Sequence, residues 1–281
     1  MRTIAVIGLG IMGHGIADNF LSKGYKVTVW NRSAGKADNL VSKGATLASS
    51  VAQAVDGADL VFEVTANDQS SQQMWLGEHG IIAYAKPGQY LISCATLSTD
   101  WTDQLATHCS KAGLEFFDMP MTGGRVAAES GQLTLLVGGS QNGLNEITPD
   151  LEAIAKDVKY FGKAGSGMRY KLILNTLQAI HLAGLGEALR MADVVGLDKE
   201  LVGNALIERP GGVVTNIGWE AYKKSPDPVT FSVEWIAKDL GYATDMVKTI
   251  QHPLLDEALR VYKQAIEQGL SQSDWTEINK L

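Results

Sequence analysis

Residues 3–13 read TIAVIGLGIMG, and an amphipathic run, IADNFLSKG, follows at 16–24. TIAVI is rich in β-branched residues and predicts a strand. Gly8, Gly10 and Gly13 then set G-x-G-x-x-G between that strand and the start of a helix, the context in which the motif carries meaning. The first glycine permits a tight turn, the second lets backbone approach a pyrophosphate, and the third lets the helix pack closely on the strand. The helix N-terminus presents N–H groups to the phosphate charge. Leu9, Ile11 and Met12 complete this candidate dinucleotide loop. The opening apolar run is short, glycine-broken and followed by no small-residue cleavage pattern, so it reads as a first strand and not a signal peptide.

Cofactor choice belongs to the end of the second strand, KVTVW at 26–30, where NAD-binding chains place an Asp or Glu on the ribose hydroxyls. Here Asn31, Arg32 and Ser33 occupy that place. No carboxylate repels a 2'-phosphate, the Arg32 guanidinium can pair with one, and the Ser33 hydroxyl can donate. NADP (NADPH) is therefore expected over NAD, with Lys36 as a possible helper.

The 281 residues leave room for two domains. At 45% hydrophobic and 20% charged, the composition is that of an ordinary globular protein. A net charge of -7 argues against a nucleic-acid or polybasic membrane surface, so an anionic ligand has to be met by a few placed cations. Cys94 and Cys109 show no metal or redox spacing and predict a reducing, cytoplasmic setting. His14, His79, His108, His181 and His252 lack metal-ligand spacing, and no metal is expected. No apolar stretch is read as long enough to span a bilayer.

Up to about residue 162, short strand-like runs (TIAVI, KVTVW, LVFEV, YLISC, LEFFD, LTLLV) alternate with helical ones such as DWTDQLATHCSKAG and NEITPDLEAIAK. That alternation predicts an α/β fold, a doubly wound parallel sheet of the Rossmann kind over 1–162. Beyond a cluster of glycines at 162–167 no strand series returns, and an all-α domain is expected over 163–281. It begins with one long, largely apolar interdomain helix from Met168 to about Val195, then further helices broken by RPGG at 209–212 and SPDP at 225–228.

Within that helix GSGMRYKLILN places Lys171 and Asn175 four residues apart, hence on one face about 6 Å apart along the axis. Upstream lies the glycine-bearing segment DMPMTGGRVAAESGQL at 118–133. With GLGIMG and KDLGYA at 238–243, these segments make the chain resemble the β-hydroxyacid dehydrogenase family over essentially its whole length. The resemblance implies that Thr122, Gly123 and Gly124 hold a substrate carboxylate, a hydroxyl and consecutive backbone donors at a turn forming an anion-binding concavity. It implies Lys171 as the catalytic general acid/base, Asn175 as substrate-orienting, and Lys238 near the nicotinamide, with Asp239 as readily structural.

Departures concern the cofactor contacts. Where the family often has D-x-S-T, this chain has Ser93, Cys94, Ala95 and Thr96, and only Thr96 keeps a cofactor-contacting residue type. EVTAND at 63–68 lacks the family's Leu-Pro. Arg125 reads as solvent-facing, and Trp219, Phe231 and Trp235 fall in a stretch that in the family closes over substrate, although aromatics at such spacing are usually core. The expected partner is a small carboxylate-bearing β-hydroxyacid or its semialdehyde, acted on by a homodimer or homotetramer. The alternatives are an imine reductase, a similar family that commonly replaces the lysine, and a non-catalytic NADPH sensor, which would be expected to lose Lys171 or the glycine loop.

Overall fold

The computed structural model describes residues 1–208, 212–249 and 251–281. Arg209, Pro210 and Gly211 of the expected RPGG break lie outside the described residues. By its internal contacts the chain divides into two units, Met1–Lys171 and Leu172–Leu281, the division falling within one helix.

The first unit runs β1 (Thr3–Ile7), α1 (Ile11–Ser22), β2 (Lys26–Trp30), α2 (Asp38–Ser42), β3 (Thr46–Leu47), α3 (Val51–Val55), β4 (Leu60–Glu63), α4 (Asp68–Leu76) and α5 (Ile81–Tyr84). It continues through β5 (Tyr90–Ser93), α6 (Thr99–Lys111), β6 (Glu115–Asp118), β7 (Met121–Thr122), α7 (Gly124–Glu129), β8 (Leu133–Gly138), α8 (Gln141–Leu151) and β9 (Ala155–Gly162). Strands lie in the order β3-β2-β1-β4-β5-β6-β8-β7, with β9 also paired to β8. The order reverses beside β1, because β2 and β3 extend one way and β4 onward the other. Ligands of open α/β sheets bind outside the strand ends at such a switch point.

Side chains alternate across β1, with Ile4 and Val6 packing beneath α1 and α8, and Ala5 and Ile7 packing toward α3, α4 and α6. Both faces are thus covered, as parallel strands require. Buried Cys94 and Cys109 belong to these two cores, where burial pushes both thiols up.

The sheet is mostly parallel, and β8 runs antiparallel to both β6 and β7. The chain leaving β6 turns back through β7 and α7 instead of crossing over. Two further differences concern a boundary and two short strands. NEITPDLEAIAK stops being helical at Leu151, and its last residues open β9, which pairs parallel to β8. Short β3 and β7 were not visible as periodic runs.

In the second unit α9 (Ser166–Val194), which starts in the first, is followed by α10 (Lys199–Ile207), α11 (Gly212–Lys223), α12 (Val233–Met246) and α13 (Pro253–Glu267). Leu172, Ala179 and Leu182 of α9 pack with Ile236 and Leu240 of α12 and with Leu255 and Tyr262 of α13. Leu185 and Leu189 pack instead on Trp219 of α11, whose ring lies against bare Gly203, so Trp219 is a core residue.

Helix α9 corrects the expectation about bilayer-length segments. With 29 residues and an 18-residue stretch of mean hydropathy 1.2, it is long and apolar enough to cross a membrane by composition. Its Leu172, Asn175, Ala179, Leu182 and Leu189 are buried in the helical unit, which is the situation of a core helix.

Candidate active site

The turn from β1 into α1 is closed by glycine. Gly8 has φ +100°, and a Cβ there would sit 2.3 Å from the Val64 carbonyl oxygen. A Cβ on Gly13 would lie 1.9 Å from the oxygen of Gly8, so helix and strand meet backbone to backbone. Gly10 differs, because the space above it is open. It precedes α1, whose first N–H groups have no side-chain cap. Uncapped donors beside open space at the sheet's switch point fit a dinucleotide pyrophosphate. Leu9 is buried, whereas Ile11 and Met12 are half-buried.

At the end of β2, Asn31 turns out to be a loop organiser. Its Oδ1 accepts from the Leu9 N–H at 2.9 Å and its Nδ2 donates to the Ser33 carbonyl at 2.9 Å. One amide thus ties the glycine turn to the segment that follows β2. Arg32 and Ser33 beside it are exposed, with side chains available to a ligand.

The loops after β4 and β5 share a buried carboxyl that sequence reading passed over. Glu63 is fully buried and accepts from the Ser93 hydroxyl at 2.8 Å, across paired strands, and from the hydroxyl and N–H of Thr65. Burial pushes its pKa up, against the pull of the Thr65 and Ser93 hydrogen bonds. The residue therefore joins the Val64–Asn67 turn to the strand end leading to half-buried Thr96. A glutamate inside the apolar run LVFEV was the available signal.

Thr122 ends β7, paired with Thr134 of β8, and is half-buried. Gly123 at φ +121° and Gly124 at φ +64° come next, both exposed, in conformations that side chains rarely adopt. The short α7 then packs on α1. A Cβ on Gly15 would meet the Ala128 carbonyl oxygen at 2.6 Å, and Asn19 Nδ2 donates to the carbonyls of Gly15 and Ala128, each at 2.8 Å. The candidate substrate loop is thereby fastened to the dinucleotide helix. Arg125 pairs with Glu129 at 2.7 Å on the surface of α7.

In α9, Lys171 is half-buried and Asn175 buried. Asn175 Nδ2 donates to Oδ2 of buried Asp239 at 2.7 Å. A carboxylate only accepts, so this bond fixes the amide with its own oxygen turned away from Asp239. The other Asp239 oxygen lies 2.9 Å from Lys238 Nζ, which also sits 5.3 Å from the Tyr242 ring. Asp239 thus joins two of the residues singled out from sequence. Phe231 and Trp235 of the same unit pack on each other.

Residues 3–162 match the NAD-binding domain of 6-phosphogluconate dehydrogenase, and residues 165–281 match the NAD-binding domain of NADP-dependent 3-hydroxyisobutyrate dehydrogenase. The chain belongs to the β-hydroxyacid dehydrogenase family. This dehydrogenase is of the 3-hydroxyisobutyrate type, an NAD(P)-dependent oxidoreductase acting on CH–OH groups. The NAD-dependent L-serine dehydrogenase of Pseudomonas aeruginosa is 30% identical over 100% of this chain and 98% of its own. Two solved structures share the fold. One is a Mycobacterium tuberculosis 3-hydroxyisobutyrate dehydrogenase with L-serine (TM-score 0.90, 24% identity, covering 100% of this chain and 98% of that one). The other is Psf3 in complex with NADP+ and 2-OPP (TM-score 0.89, 24% identity, covering 99% of each chain).

The Glu63 carboxyl makes a prediction about pH. Its folded-state pKa is raised above the unfolded value, so the folded dehydrogenase holds this proton more tightly and loses stability as pH rises from the ordinary carboxylate range through the raised value. Glu63→Gln keeps the shape and removes the titration. The Tm of the variant minus that of the parent should grow between about pH 5 and pH 9; a difference constant across that range would show no proton linkage at Glu63.

Proposed function

We propose that this dehydrogenase interconverts a small β-hydroxyacid and its semialdehyde with NADP(H), using Lys171 as general acid/base. The observation that carries the reading is the pairing on α9 of Lys171 with Asn175, whose amide is held by Asp239. NADPH, when bound, supplies the hydride. As negative charge grows on the carbonyl oxygen, the Lys171 ammonium stabilises it and donates the proton; in the reverse direction neutral Lys171 takes the alcohol proton. Asn175 Oδ1, facing away from Asp239, accepts from the substrate hydroxyl and orients it. Thr122 and the backbone N–H groups of Gly123 and Gly124 hold the carboxylate.

For the cofactor, Gly8 to Gly13 cradle the pyrophosphate while Arg32 and Ser33 meet the 2'-phosphate, with Lys238 and Thr96 toward the nicotinamide. The Pseudomonas aeruginosa relative is NAD-dependent, so the NADP reading rests on this chain's own Arg32, Ser33 and missing carboxylate. The substrate panel begins with L-serine, a β-hydroxyacid named for that relative, and 3-hydroxyisobutyrate. Two buried thiols suit a reducing, cytoplasmic setting.

Exposed apolar residues support assembly. Ile173, Leu177, Met191 and Val194 of α9, with Val213 and Ile217 of α11, leave an uncovered apolar surface on the helical unit. A second copy of the chain is the occupant that fits it, giving a homodimer or a homotetramer. Sedimentation equilibrium should return at least twice the chain mass, and Leu177→Lys should shift it toward monomer; a monomeric parent protein overturns this.

Lys171→Ala should lower kcat and kcat/KM together by about 100- to 10,000-fold, the usual contribution of general acid catalysis, with NADPH binding retained. Steady-state rates of the folded, NADPH-saturated variant decide it, and a loss below about tenfold is too small for proton transfer. For the cofactor, the parent protein should have a lower KM for NADPH than for NADH, and Arg32→Asp should invert the order by removing the phosphate's partner and adding repulsion. Equal KM values in the parent protein would exclude the assignment.

A further inference from the structure

The first turn of α9, three residues before Lys171, is fastened to the sheet by groups that the proposed chemistry does not use. Asp118 ends β6 and is fully buried. Its Oδ1 accepts from the Gly165 N–H at 2.5 Å and its Oδ2 from the Met168 N–H at 2.7 Å. Each carboxylate oxygen thus takes one backbone donor at the start of the helix, which restrains both its axial position and its rotation. The helix also lies on bare strand. A Cβ on Gly167 would fall 2.2 Å from the Leu136 carbonyl oxygen, and one on Gly138 would fall 2.4 Å from Asp118 Oδ1.

Two more ties reach other parts of the unit. The sulfur of buried Met168 accepts from the N–H of Leu97, the residue after Thr96, at 3.2 Å. Arg169 grips Asp103 of α6 with two bonds, at 3.0 and 2.7 Å. In the other direction Asp118 stands four residues before Thr122, and the intervening backbone is held by Met119 N–H to the Ser93 carbonyl and by Leu136 N–H to the Pro120 carbonyl. A single turn of helix therefore ties together the strand that leads to the Thr122–Gly124 loop, the Thr96 turn and the backbone carrying Lys171.

We propose that Asp118 is a positioning residue of this dehydrogenase: its carboxylate sets the register of α9 against β6 and β8 and so holds Lys171 in a fixed relation to the substrate loop. The inference rests on the reading of Lys171 as the acid/base. Asp118 touches neither substrate nor cofactor in this role, and it acts through Lys171 alone. Burial pushes its carboxyl up to about 7 while the two backbone donors pull it down, so the group has been kept buried at a cost to its ionised form.

The test is a double-mutant cycle on the best substrate of the panel, with kcat, KM and NADPH affinity measured for Asp118→Asn, Lys171→Ala and the double variant. Asp118→Asn keeps one acceptor oxygen and puts a donor against the other N–H. It should lower kcat by about ten- to a hundredfold, the loss expected from misplacing a catalytic group by about 1 Å. NADPH affinity should stay within about twofold, because the Asp118 oxygens bond the start of α9, at Gly165 and Met168. In the Lys171→Ala background the same substitution should cost little more. An equal fold-loss in both backgrounds would mean general structural damage and would overturn the proposal, as would unchanged kcat in Asp118→Asn when Lys171→Ala is inactive. Lys171→Ala retaining turnover would instead sink the acid/base reading itself. Should Asp118→Asn fail to fold, the smaller Asp118→Ser, which leaves a single hydroxyl oxygen in place of the two carboxylate acceptors, runs through the same cycle with the same two overturning outcomes.

Discussion

The contact on which the first unit depends is the one that admits no side chain, where the carbonyl of Gly8 meets Gly13 at the foot of α1. Nothing larger than hydrogen fits there, so the helix is brought down onto the end of β1, and its first turn carries no side-chain cap. Position then propagates. Asn31 holds Leu9 from the β2 side, fixing the turn, and Gly15 and Asn19 one turn further along α1 carry the same placement to α7. The cofactor turn and the candidate substrate loop are therefore two ends of one helix-borne arrangement, not two independent loops on a scaffold.

Polar groups inside this unit act mainly on loops. Glu63, Asp118 and Asn31 each sit at the carboxyl end of a strand and each binds main-chain or hydroxyl donors from a neighbouring segment. Leaving such donors unpaired in a low-dielectric interior costs about 1–3 kcal/mol apiece, so the loops have few alternative arrangements of similar energy. In the helical unit Asp239 does comparable work for Asn175 and Lys238. Rigid placement of this kind is what hydride and proton transfer between small groups require.

Periodicity made the main strands and the long helix legible, because β-branched runs such as TIAVI and KVTVW have no helical reading and G-x-G-x-x-G dictates a tight turn into a helix after the first of them. It failed at β9. There NEITPDLEAIAK keeps an apolar spacing past Leu151, and the strand AKDVKYFG has a half-exposed pattern without the dense apolar run of its neighbours. The two-residue strands β3 and β7 are products of pairing, which no local pattern encodes. Among candidate site residues, the glycines, Arg32, Thr122, Lys171 and Asn175 are proposed from the sequence because their motifs and positions single them out. Glu63 and Asp118 are not, since a lone carboxyl in a strand shows its meaning only when its partners from distant segments arrive. Asn31 stands out in the sequence by its place after β2, and the bonds its amide makes to Leu9 and Ser33 need coordinates to see.

The bond from Asn19 to α7 has a bearing on how this chain can change. Its acceptors are carbonyl oxygens, at Ala128 and more distantly Glu129, which every amino acid provides. The grip is thus blind to side-chain identity over most of α7, where Arg125, Val126 and Glu129 turn partly or wholly to solvent; Ala128, pressed against Gly15, and Gly124, at φ +64°, are the positions confined to small residues. Substitutions can accumulate along this segment while its attachment persists, so the neighbourhood of the Thr122–Gly124 loop can vary in sequence without the framework being rebuilt each time.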